Sequence, residues 1–235
     1  MKEIQALSNR GRAHGLQKFF QTAPGQYGEG DIFLGLTVPQ VRSVAKKYKE
    51  ISLKELEAIT RSDFHEVRLC GLVILTLKYK SAKERSEKKN LFDVYIKATT
   101  RGYINNWDLV DVSAPIIGEY LIDLDDPYIL LYKLAKSKSL WQRRVSMVFT
   151  FAFIRAGDIE PTFEMAEKLL HDEHDLIHKA VGWALREAGK LNGIALRKFL
   201  STHSHEMPRT MLRYSIEKFP ERERKKWLLE SKVSK

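Results

Sequence analysis

The sequence predicts an all-α fold, with helical pairs stacked side by side into a superhelix that has one concave face. Three observations carry that prediction. Helix-start signals recur along the chain, and apolar-periodic segments of ordinary helix length are joined by short links. A weak repeat also returns at intervals of 33 to 43 residues.

Near the N-terminus, Pro24-Gly25-Gln26-Tyr27-Gly28-Glu29-Gly30-Asp31 precedes Phe33-Leu34-Gly35-Leu36. No strand comes before this glycine-rich stretch and no Lys-Ser/Thr follows it, so it does not read as a phosphate-cradling loop. It reads as a flexible connector packed down by Tyr27 and Phe33. Pro39, Pro127, Pro161 and Pro208 each stand where an apolar-periodic segment begins, the position at which a helix tolerates a missing N–H. Ser52-x-x-Glu55 and Asp63-x-x-Glu66 have the capping-box spacing. Asp126, Ser139 and Asn192 are expected N-caps, and Gly157 an expected helix stop. Residues 148–154, rich in Phe and Val, fit a strand or a helix; Arg143, Arg144 and Arg155 at helical distances favour the helix. Arg222-Glu223-Arg224-Lys225-Lys226 with Trp227 reads as a solvated helix face with one buried aromatic. No domain boundary stands out, so residues 1–235 read as a single domain, with 1–50 continuous with the array.

The repeat is anchored at Arg68, Asp111, Arg144, Lys179 and Arg213, at intervals of 43, 33, 35 and 34 residues. Small or apolar residues follow each anchor, among them Gly71, Ala114, Ser146, Gly182 and Ser215, as closely stacked helices require. Roughly five to six helical pairs result. Equivalent positions in such an array line one face, so the four cations form a ladder suited to a phosphate backbone. Asp111 is the exception on that ladder, and a carboxylate there needs a reason other than phosphate attraction.

A formal charge of +10 favours a polyanionic partner, nucleic acid before anionic membrane. The one cysteine, Cys70, lies in an apolar run, which excludes a disulfide framework or a cysteine-based metal site and fits a reducing cytosol. The N-terminus lacks the apolar core of a signal peptide, and no stretch is long enough to span a bilayer. A cytoplasmic protein is expected.

Chemistry concentrates in Asn105-Asn106-Trp107-Asp108-Leu109-Val110-Asp111. On a helix Trp107 and Asp111 are i and i+4, so a ring and a carboxylate share one face. Arg144 and Trp183 stand on later units. No HExxH motif or Gly-x-Ser-x-Gly elbow occurs, and His171, His174 and His178 read as helix residues before metal ligands. Nothing near Lys179 argues for an amine nucleophile. An aromatic face and a carboxylate suit a developing positive charge, such as the oxocarbenium-like sugar formed when a base leaves deoxyribose. Arg144 can hold a flanking phosphate, and Asp111 can orient the attacking water.

With these motifs in place the chain resembles the AlkD-type DNA alkylation repair glycosylases. The resemblance rests on the stretch from Pro24 to Gly35 with Val38-Pro39-Gln40-Val41-Arg42, on Asn106–Asp111, on Leu140-Trp141-Gln142-Arg143-Arg144, and on Lys179-Ala180-Val181-Gly182-Trp183-Ala184-Leu185-Arg186-Glu187. It implies a right-handed superhelical solenoid of HEAT-like pairs with a concave basic face. It also implies monofunctional hydrolysis of the N-glycosidic bond of N3- and N7-alkylpurines, such as 3-methyladenine and 7-methylguanine, in base excision repair. It further implies that the base is not extruded, that no cofactor or metal is needed, and that a monomer acts on double-stranded DNA. The resemblance matches Asp111 to the catalytic carboxylate, Trp107 and Trp183 to the aromatic contacts, and Arg144 to the cation beside them, with Arg143 an alternative. Tyr27, Arg42, Arg68, Arg143, Lys179 and Arg213 are expected DNA contacts. A non-catalytic binder of distorted or branched DNA, or a protein-interaction array, remains the competing reading.

Overall fold

A computed structural model describes residues 2–233. All regular structure among them is helical, and one isolated parallel bridge joins Ile32 to Phe64. The chain forms two compact units, Met1–Tyr120 and Leu121–Lys235.

The first unit contains α1 (Lys2–Ala6), α2 (Arg10–Phe19), α3 (Val38–Lys47), α4 (Leu53–Thr60), α5 (His65–Ser81), α6 (Arg85–Thr100) and α7 (Trp107–Ile117). Its centre is α5, apolar nearly all round because α3, α4, α6 and α7 pack against it. A capping box at Ser52 and Glu55 starts α4, as its spacing predicts. A second box, Thr37 with Gln40, starts α3 just ahead of Pro39. The Asp63–Glu66 box does not form. Phe64 holds the cap position of α5 without a side-chain bond. Buried Glu66 instead accepts the backbone N–H groups of Leu34 (2.8 Å), Gly35 (2.7 Å) and Leu36 (3.1 Å). Three donors from the incoming loop outcompete the single one that a capping box supplies.

The second unit contains α8 (Tyr128–Ala135), α9 (Leu140–Arg155), α10 (Glu160–Lys168), α11 (Asp175–Leu191), α12 (Gly193–His203), α13 (Arg209–Ser215) and α14 (Glu221–Val233). Residues 148–154 belong to α9, whose burial on most sides explains its Phe and Val content. Ser139 and Asn192 cap α9 and α12 as expected, and Gly157 ends α9 with φ +89°. Asp126 lies one residue before the cap position and still accepts the Tyr128 N–H at 2.9 Å. The apolar stripe Ile177, Val181, Ala184, Leu185 and Ala188 buries α11 against its neighbours. Gly182 is where α13 comes closest: a Cβ there would stand 2.5 Å from both the Met211 carbonyl oxygen and Tyr214 Cβ. Among the described residues no helix is long and apolar enough to cross a membrane.

Candidate active site

In the first unit the site is built at the entry to α7. Asn106 caps that helix, its side-chain oxygen accepting the Trp107 N–H at 2.9 Å. Asp108 accepts the Leu109 N–H at 2.8 Å with one oxygen and faces His65 Nε2 at 2.8 Å with the other. His65 Nδ1 lies 2.7 Å from Asp31, which ends the glycine-rich loop. Arg68 pairs with the second Asp31 oxygen and donates to Asn105 at 3.0 Å. Burial alone would drive His65 neutral, but Asp108 and Asp31 outweigh it and push the imidazole up to about 9. Burial likewise favours a neutral Asp31, yet His65 and Arg68 hold its carboxyl below the ordinary range. A buried imidazolium between two carboxylates therefore clamps the loop, α5 and the first turn of α7 together.

That turn carries Trp107. Its ring stacks on Phe20 (centroids 5.2 Å apart, planes at 21°) and meets Phe19 edge-on at 6.1 Å. Asp111 stands one turn further along the same helix, and both it and Trp107 are half-buried. Pro115 has no N–H to return to the Asp111 carbonyl; α7 runs on to Ile117 and then tightens into a 3₁₀ turn at Gly118–Leu121. Tyr27 is half-buried, its hydroxyl donating to the Phe19 carbonyl at 3.4 Å, and Arg42 is exposed on α3.

In the second unit Trp183 is half-buried on α11, tilted against Phe151 at 4.3 Å. It lies one turn beyond Lys179, which pairs with Asp175 at 2.8 Å. Arg143 binds Asp172 at 2.6 Å and the carbonyls of Ser137 (3.1 Å) and Lys138 (3.0 Å). Arg144 is 5% exposed and donates to the Leu176 carbonyl. Arg213 is exposed on α13. His174 caps α11, and His178 reaches the Asp172 carbonyl.

The helix starts revise the repeat. Asp111, Arg144, Lys179 and Arg213 are each the fifth residue of their helix, whereas Arg68 is the fourth residue of α5. Its counterparts are Arg143 and His178, which are fourth in α9 and α11. Arg68 and Arg143 even share a bonding pattern, each donating to the carbonyls six and five residues earlier and pairing with one aspartate. Arg68, 5% exposed, thus ties a loop to its helix, and the fifth residue of α5 is Leu69.

A model of the family described as DNA alkylation repair enzyme matches residues 1–219. The chain belongs to that family. Among solved structures it is similar to one titled as a predicted DNA alkylation repair enzyme from Enterococcus faecalis, at 14% identity and a TM-score of 0.70, over 91% of this chain and 97% of that one. At that identity the likeness shows the fold. A comparison with curated proteins finds no match. Within this alkylation repair chain, Asp31, His65 and Asp108 escaped the sequence reading. They stand 34 and 43 residues apart and share no local spacing.

Proposed function

We propose that this alkylation repair enzyme hydrolyses the N-glycosidic bond of cationic N3- and N7-alkylpurines in double-stranded DNA, without extruding the base. One observation carries the reading: Trp107 and Asp111 share a face of α7, both half-buried, on a helix whose first turn is clamped by His65. A half-buried carboxylate is shielded enough to act on a developing sugar cation and open enough to meet it. Alkylation makes the base a cation that departs neutral, so the site needs no general acid. Asp111 stabilises the oxocarbenium-like sugar and orients the water, and the Trp107 ring face adds cation–π attraction. In the second unit Trp183 offers another ring to the nucleic acid, and Lys179 and Arg213 suit phosphate contacts. Arg144 serves the fold through the Leu176 carbonyl as well as any anion it meets. Arg68 takes no part in DNA contact, because its guanidinium is buried among protein acceptors.

The test is incubation with methylated duplex DNA and identification of the released bases. The wild-type chain releases 3-methyladenine and 7-methylguanine. Asp111→Asn keeps duplex binding and loses about a hundredfold or more in release rate, the scale of removing one fixed electrostatic group from a transition state. Undiminished release by that variant sinks the assignment of Asp111. Tight binding by the wild type with no released base favours the non-catalytic binder.

A further inference from the structure

Phe19 is 63% exposed, the most exposed aromatic among the described residues. It ends α2, and Phe20 beside it turns inward to stack on Phe33 at 4.9 Å and on Trp107. Just after the two rings the chain reverses at Gln21, whose φ of +51° makes it the one non-glycine residue with positive φ among those described. Such a conformation costs about 1–2 kcal/mol and persists where surrounding structure enforces it. Here the enforcement is visible. Tyr27 donates to the Phe19 carbonyl, and Gly28 N–H donates to the Gln21 carbonyl at 3.1 Å. Gly28 lies so near the Phe20 carbonyl that a Cβ would stand 2.3 Å from its oxygen.

A single exposed apolar side chain needs no explanation. This one has two neighbours that ask for one. Its ring extends the Phe20–Trp107 cluster, which lies one helical turn from Asp111. It also closes a helix with no fully buried residue and no acid, on which Arg10 and Lys18 are exposed. An exposed ring beside a cation, continuous with the aromatic cluster of the site, suits a nucleic-acid backbone, the ring against the sugar and the cation on a phosphate.

We propose that Phe19 is a nucleic-acid contact, its ring packing against a deoxyribose of the duplex beside the nucleotide that Trp107 addresses, while Lys18 meets the neighbouring phosphate. The inference rests on the DNA-directed reading above and deepens it, adding a positioning residue that orients the substrate without touching the reacting atoms.

The experiment compares wild type, Phe19→Ala, Phe19→Leu and Phe19→Tyr in the full chain, measuring affinity for methylated and unmethylated duplex by fluorescence anisotropy, base release, and thermal unfolding. Phe19→Ala weakens binding about 5- to 100-fold, the range of losing one aromatic platform. Phe19→Tyr restores it to within about twofold and Phe19→Leu does not, because the sugar contact needs a ring face. All four unfold at the same temperature, since the ring lies outside the core. Unchanged affinity in the alanine and leucine variants overturns the proposal, as does a loss of affinity that Leu repairs together with a lost melting temperature, which marks plain packing. A wild type that binds DNA through Phe19 but releases no base leaves the inference standing and removes the glycosidic reaction. A Phe19→Ala variant that binds duplex and releases base as well as the wild type does the reverse. No duplex binding by the wild type overturns both.

Discussion

A histidine ring between two carboxylates, as His65 lies between Asp31 and Asp108, is a cation that its own burial opposes. The clamp is therefore pH-sensitive in a defined direction. The folded value of about 9 exceeds the ordinary 6.5, so the stabilisation is complete below pH 6.5 and is lost as pH rises through about 9. Asp31 works at the other end. Its carboxyl is held below 3.8, so its contribution is present above that value and falls away only in stronger acid. His65→Gln should lower stability at pH 7 by about 3–5 kcal/mol, because it removes the cation that Asp31 and Asp108 share and leaves only Asp31 a charged partner, Arg68. Denaturant unfolding from pH 6 to 10 checks both expectations, and the gap between wild type and variant should narrow toward pH 10. A constant gap would refute the imidazolium. None of this was readable from the chain order, whereas Trp107 and Asp111 were, because a four-residue spacing is a helix face wherever the helix stands.

At the scale of elements, the signals that the sequence displays most clearly are those that one turn of backbone can satisfy. Ser52, Ser139 and Asn192 cap as expected because each donor lies two or three residues away. Glu66 does not, because a loop 30 residues distant offers it better partners. The same contrast separates the repeat anchors. Asp111, Arg144, Lys179 and Arg213 are each fifth in their helix, while Arg68 is fourth in α5, the position from which Arg143 in α9 likewise holds a loop to its helix. Helix stacking in the second unit depends on Gly182. Alanine there would gain about 1 kcal/mol of helix propensity, yet its Cβ would stand 2.5 Å from a backbone oxygen that cannot rotate away. Gly182→Ala should be net destabilising by about 1–3 kcal/mol in denaturant unfolding. A more stable variant would mean that α11 and α13 part easily.

For the whole molecule, the net charge of +10 predicts duplex binding that weakens steeply with salt. Arg213, exposed and in register, should contribute one phosphate contact: Arg213→Gln lowers the slope of log affinity against log salt by about 1, uniformly across sequences. Affinity that hardly changes with salt would leave the basic excess without a role in binding. The sequence by itself determined the all-helical class, most helix starts and the placing of Trp107 and Asp111 on one helix face, because periodicity and caps are properties of residues close together in the chain. Only the tertiary structure decided the division into two compact units, the buried Asp31–His65–Asp108 clamp and the outward setting of Phe19. Those depend on which distant groups meet, and in a low-dielectric interior it is the partner that settles whether a charge is held, lost or turned to water.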